Sequence, residues 1–260
     1  MDRIYLPKSS VIDKKPACFT QEQATAFLNF IDAPYSVLVS EHSYHSGTSG
    51  DRKISAYSRS TEISLQFKLF FTIALYGGLR KGEALGLRWE DVDYQKNELH
   101  IRRSAYSYQG EMKTKVPKTR GSARVLSMPT SVMELFAKHQ QVQQAYCTKL
   151  ADYWHDEGWI FTQDNGKMMD YSTPYHVFKR VIAHYNQIHT NPTEQLPDIS
   201  LHGLRHTTAT LLITNNVDPV TVAARLGHSQ TSTTLDTYSH AVQSTNKAAA
   251  IQLEQILAPK

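Results

Sequence analysis

LHGLRHTTAT, residues 201–210, reads as the start of a helix with an unusual opening. Leu201, Leu204, Thr208, Leu211 and Leu212 recur at helical spacing and can face a core. Ser200 stands before them as a cap, and Asn215-Asn216 breaks the run. His202 and Arg205 are neighbours at i, i+3 on a different face. They fall in the first turn, where unpaired backbone N–H groups and the helix dipole favour an anion. Arginine adds a planar fork that matches two phosphate oxygens, and histidine can move a proton near neutral pH. A solvated surface pair would read the same way. His202 and His206, at i, i+4, also raise a metal, but a zinc-protease helix carries Glu after its first His, where Gly203 stands. No metal is expected.

Toward the C-terminus, DPVTVAARLG (218–227) has an Asp218 cap, Pro219 in the first position and Gly227 at its end, with His228 directly after. STTLDTYSHA (232–241) suggests another short helix, and NKAAAIQLEQILA (246–258) an amphipathic one. Toward the N-terminus, Ser172 or Thr173 caps a helix through Ile188, with Val177, Phe178, Val181, Ile182 and Tyr185 as its core face. A longer helix runs from Ser131, paired with Glu134 as a capping box, to about Leu150. ELHIRR, MKTKV and ARVLSM have strand character, with TRGS as a turn, and suggest one small antiparallel sheet. Gly77-Gly78 stops a helix that begins near Thr61, and RKGEALGL follows as a short one. Residues 40–60 read as an exposed loop with room for short strands. Thr20 and Gln23 form a capping box for the first helix, and residues 1–19 read as a linker or arm. The fold class is mainly α with a small antiparallel β-sheet.

At 260 residues the chain can bury a sizeable core, and no run approaches the ~20 apolar residues of a membrane span. Cys18 and Cys147 stand alone, as free thiols in a reducing compartment would, so a cytoplasmic protein is expected. The net charge is only +4, but it is unevenly spread. Between Lys96 and Arg124, eight basic residues (Lys96, Arg102, Arg103, Lys113, Lys115, Lys118, Arg120 and Arg124) face two acids (Glu98 and Glu111), a balance of +6. Tyr106 and Tyr108 lie among them. Such a concentration fits a phosphate backbone, although a solvated strand pair also carries charge.

Four segments, GLRKGEALGLRW, PKTRGSARVLSMP, LHGLRHTTAT and LGHSQTSTTLDTYSH, occur in that order. Together they resemble the catalytic domain of the tyrosine recombinases, the phage integrase family, and most of all the integrases of Gram-positive phages and conjugative transposons. The resemblance covers roughly residues 20–257. It implies that Tyr238 is the nucleophile, that Arg80, Arg205 and His228 hold the scissile phosphate, and that Glu83 supports Arg80. It makes Lys118 the strand-turn lysine that protonates the leaving 5′ oxygen, although Lys115 and Arg120 lie close by. His202 is then the candidate base. Arg102, Arg103, Lys113, Lys115, Arg120 and Arg124 are candidate DNA contacts.

The same resemblance implies double-stranded DNA as partner, no cofactor, and exchange of strands among dimers to tetramers through a Holliday junction. A C-terminal exchange helix, about residues 245–257, would dock on a neighbouring protomer or fold back on its own domain. An accessory excision factor is a further expected partner. Family members carry a helical core-binding domain before this one. Only 19 residues precede Thr20, so the chain reads as a fragment without that domain. Two rivals stay open: a type IB topoisomerase-like nicking and closing enzyme, and a non-catalytic DNA-binding protein.

Overall fold

The computed structural model describes residues 17–39, 42–46, 50–54, 57–116, 123–228, 253–254 and 256–257. The first helix, α1 (Gln21–Asp32), begins as its local signals require. Thr20 Oγ1 accepts the Gln23 backbone N–H at 3.2 Å, and the Gln23 side chain accepts that of Thr20 at 2.9 Å. The packed core reaches one residue into the expected linker of residues 1–19. Phe19 is 1% exposed, its ring lies 5.6 Å from Phe27, and its N–H donates to Thr207 Oγ1 at 2.9 Å.

The short strands allowed for in the loop over residues 40–60 are present among the described residues, as two antiparallel pairs: β1 (Tyr35–Val39) with β4 (Tyr57–Thr61), and β2 (His42–Ser46) with β3 (Gly50–Ile54). Next comes α2 (Leu65–Gly77), which starts at Leu65 rather than Thr61. It is the central helix of the domain. Leu69, Phe70, Phe71, Ile73, Ala74 and Leu75 are all buried, the pattern of a helix surrounded by others, and α1, α3 (Lys81–Leu85), α4 (Thr130–Leu150), α5 (Thr173–Ile188) and α6 (Gly203–Thr214) pack on it. Phe19, Phe27, Phe71 and Phe178 form the aromatic centre of this layer, with tilted and edge-on ring contacts of 5.5 to 6.5 Å.

The basic segment divides into two sheets where one was expected. β5 (Val92–Asp93), β6 (Glu98–Ile101) and β9 (Arg124–Ser127) form one sheet, in the order β5-β6-β9. β7 (Ser104–Tyr108) and β8 (Glu111–Lys115) form a separate hairpin, which packs on α3. The α4 helix starts at Thr130 with Pro129 as its cap, so Ser131 already lies inside the first turn and makes no capping bond. Likewise Ser172 precedes α5 without a side-chain cap, while Ser200 Oγ accepts the Gly203 N–H at 3.2 Å. On α5 the expected core face is buried except Val177, which is partly covered; on α6, Leu211 and Leu212 are only partly covered and Ile213 is buried instead.

The last described helix, α7 (Pro219–Leu226), has the ends its sequence predicts. Asp218 Oδ1 accepts from the Val220 and Thr221 N–H groups, and Gly227 closes it at φ 69°. The His228 N–H returns to the Ala223 carbonyl and the Gly227 N–H to Ala224, the paired bonds of a Schellman motif. Among the described residues no helix is long and apolar enough to cross a membrane.

Candidate active site

Two helix ends, of α2 and α7, and two helix starts, of α3 and α6, converge here. Gly78 caps α2 at φ 60°, and a Cβ there would stand 2.4 Å from Leu226 Cδ2, so both conformation and space demand glycine. The turn delivers Arg80 to the start of α3. Arg80 Nη1 donates to Glu83 Oε1 at 2.7 Å, the Arg80 backbone N–H donates to Glu83 Oε2 at 3.0 Å, and Nη2 reaches the Gly227 carbonyl at 3.4 Å. That carbonyl immediately precedes His228. The Schellman turn of α7 therefore sets His228 beside the arginine.

From the other side comes α6, with His202 at its N-cap. The sequence places Arg205 on a face away from the core; the structure buries it, 2% exposed, between α6 and the end of α2. Arg205 Nη1 donates to the Gly78 carbonyl at 2.7 Å, and one turn on Thr208 Oγ1 donates to the Leu75 carbonyl at 2.6 Å. Both bonds use carbonyls at the α2 C-terminus, where the helix dipole favours a cation. The His202 and His206 rings meet edge to face, centroids 4.8 Å apart.

Positive charge dominates the electrostatics. Burial first, then Arg205 and Arg80, lower the His202 pKa from its ordinary 6.5 against a smaller opposing pull from Glu83. Burial, then Arg205, Arg80 and Arg124, lower His228 to about 4. Burial, His202 and Arg205 bring His206 to about 4 as well. The histidines are thus neutral at pH 7, able to accept a proton or share a hydrogen bond without adding charge. Burial would raise Glu83, but the Arg124 hydrogen bond and charge, with those of Arg80, hold its carboxyl below the usual range. Chemically, the site is a set of fixed cations with neutral imidazoles beside them.

Arg124 is the residue whose placement differs most from the sequence reading. The sequence makes it a candidate DNA contact within the basic segment. Its side chain is 7% exposed, with Nη2 on Glu83 Oε2 at 3.0 Å and Nε on the Arg225 carbonyl at 2.7 Å. Strand alternation gives the signal for this, because Arg124 shares a face with buried Leu126. Arg103 is likewise committed: its guanidinium pairs with Asp91 at 2.6 Å and Glu90 at 2.7 Å, and Arg102 lies 3.5 Å from Asp91. Lys113 and Lys115 are exposed, lying over the Tyr108 and Tyr106 rings at 5.1 and 5.3 Å. Lys118, Arg120 and Tyr238, with the expected helix at 232–241, lie outside the described residues. Of the expected helix at about 245–257 only residues 253–254 and 256–257 are described, and these are helical, with Leu253, Ile256 and Leu257 exposed. Among the described residues, Asp93, Glu98 and His100 are the group spaced to hold a metal, with ligand atoms within 4.8 Å of one another on the β5–β6 hairpin.

The model of the phage integrase family matches residues 52–244, most of the chain and every one of these site segments. The chain belongs to the phage integrase family. It is 32% identical over 195 residues to a tyrosine recombinase XerC-like protein of Caldanaerobacter subterraneus subsp. tengcongensis, covering 70% of this chain and 48% of that one. It is 30% identical over 193 residues to the ICEBs1 integrase of Bacillus subtilis, covering 74% of this chain and 50% of that one. The chain thus spans about half the length of these relatives. Among solved structures, the Tn1549 transposon integrase in complex with transposon right end DNA superposes with a TM-score of 0.67 at 23% identity, covering 95% of this chain and 68% of that one. At that identity the likeness speaks for the fold, which is that of a tyrosine recombinase catalytic domain.

Proposed function

We propose that this chain is the catalytic domain of a site-specific DNA recombinase that integrates and excises a mobile element, cutting and rejoining strands through a 3′-phosphotyrosine. The observation that carries the reading is the convergence of Arg80, Arg205, His202 and His228, from three separated segments, around one charged site supported by Glu83. Membership of the family and relatives named as integrases and recombinases support it.

In this reading the Tyr238 hydroxyl attacks the scissile phosphorus while its proton passes to His202. The bond to the 5′ oxygen breaks, and Lys118 protonates that oxygen. Arg80, Arg205 and His228 stabilise the non-bridging oxygens as charge shifts onto them. A phenol of ordinary pKa ~10 needs such help at neutral pH. The phosphotyrosyl ester conserves the bond, so a 5′-hydroxyl from another duplex can displace the tyrosine by the same steps reversed. No ATP is consumed. Double-stranded DNA is the partner; four protomers, joined by the C-terminal helix, would carry the junction, with an excision factor biasing direction.

The test is a nicked suicide duplex carrying the end sequence of the element that encodes the chain. Protein and Tyr238→Phe are compared on a denaturing gel, beside a gel shift for binding. A slow-migrating covalent band from the first and not the second is expected. Bound DNA with no adduct from either overturns the reading. Resolution of a synthetic Holliday junction separates a recombinase from a topoisomerase-like enzyme, which would form the adduct and fail to resolve.

A further inference from the structure

Glu83 is a nearly buried carboxylate, its side chain 5% exposed, shared by two guanidinium groups of very different surroundings. Arg80, 39% exposed, meets only Oε1 with its side chain; Arg124, 7% exposed, meets Oε2. A carboxylate taken out of water draws the nearest guanidinium into a two-pronged pair, because both its oxygens need charged donors. With Arg80 as sole partner, that pairing would turn the fork inward onto Glu83. Arg124 fills the second oxygen from behind, together with the Arg80 backbone N–H at 3.0 Å. Arg80 Nη2 is thereby kept off Glu83 and reaches instead the Gly227 carbonyl beside His228, at 3.4 Å.

The second anchor makes Arg124 a brace and not merely a counter-ion. Its Nε donates to the Arg225 carbonyl in the last turn of α7, while the Arg225 side chain donates to the carbonyls of Tyr76, at 2.7 Å, and Ser127, at 3.3 Å. One buried side chain on β9 thus fixes the carboxylate that aims Arg80 and the end of the helix that carries His228. We propose that Arg124 is a positioning residue for strand cleavage, acting on Arg80 through Glu83. This rests on the reading above of Arg80 as a phosphate-binding residue. It makes Arg124 a contributor to rate and not to DNA affinity.

The experiment is a double-mutant cycle of Arg124→Gln and Arg80→Lys, read as single-turnover adduct formation on the suicide duplex at saturating protein, with a gel shift for affinity. Arg124→Gln should slow adduct formation by roughly 10- to 100-fold, the cost of misplacing a reacting group by a fraction of an ångström to an ångström, and leave the dissociation constant for the duplex unchanged. In the Arg80→Lys background it should cost almost nothing more, since the fork it aims is gone. Losses that multiply across the cycle would mean a general structural role and overturn the proposal, as would an Arg124→Gln rate equal to that of the unmodified protein. Arg124→Lys keeps the charge but reaches only one of the two anchors; it should fall between the two and serves if the glutamine variant does not fold. Absence of an adduct from the unmodified protein would instead overturn the reading of the site itself.

Discussion

Arg205 on α6 donates from Nη1 to the carbonyl oxygen of Gly78, 2.7 Å away, across 127 residues of chain. The bond joins the phosphate-binding candidate of one segment to the turn that delivers Arg80 in another. Replacing Arg205 with alanine leaves that buried carbonyl without this donor, which costs about 1–3 kcal/mol. It also removes a cation from the site. Adduct formation should be lost while urea unfolding shows a folded but weakened domain.

The same turn yields a sharper stability prediction. Gly78→Ala forces a side chain into the left-handed region and into contact with Leu226 at 2.4 Å. The expected loss is about 2–4 kcal/mol, from backbone strain and overpacking together. Chemical denaturation checks it: the midpoint should fall while the slope stays the same. An unchanged midpoint would mean that the α2–α7 contact gives way freely.

Phe19 carries a third. Its ring is buried against Phe27 and Phe178, so Phe19→Ala should destabilise the domain by about 3–5 kcal/mol, as for other core aromatics. A true linker residue would show no change in the melting temperature.

These cases mark what could be read without coordinates. The caps of α1 and α7 were legible because Thr20 with Gln23, and Asp218 with Pro219 and Gly227, act within one turn of chain. The candidate residues Arg80, Glu83, His202, Arg205 and His228 stand out in the sequence through their motifs, and the fold brings their segments together. Phe19 was missed because its burial depends on Phe178, far along the chain. Arg124 was misplaced because a charged residue in a basic run reads as surface, and its partners Glu83 and Arg225 come from other segments. The division of the basic strands into two sheets depends on pairing between β6 and β9, which no local pattern encodes.

The two kinds of cation in the basic segment should separate by salt. Lys115 is exposed over Tyr106, whereas the Arg103 side chain is 17% exposed and held by Asp91, itself fully buried. Lys115→Ala should weaken duplex binding and reduce the slope of log affinity against log salt by about 1 if it meets one phosphate. Arg103→Ala should leave the slope unchanged and lower stability, because it strips the buried Asp91 carboxylate of the nearer of its two cations, leaving Arg102 at 3.5 Å. Titrations by fluorescence anisotropy at several salt concentrations decide it. Equal slopes for both variants and the parent would remove Lys115 from the DNA-binding face.

Acid should undo the domain in a predictable window. His206 and His228 titrate near 4 in the folded chain against an ordinary 6.5, so the unfolded state binds more protons between those values. Stability therefore rises with pH across that interval and is lost as pH falls through it. Glu83 acts in the same direction at lower pH: its carboxyl is held below the ordinary 4.5, and its contribution disappears as pH falls through that depressed value. Urea midpoints should thus be flat from about pH 8 to pH 6.5 and decline below. His228→Gln and His206→Gln should each shallow the decline above pH 4, since neither glutamine takes up a proton on unfolding. A slope unchanged in both variants would mean that these two imidazoles titrate in the folded protein as they do in the unfolded chain, and would overturn their depression to about 4.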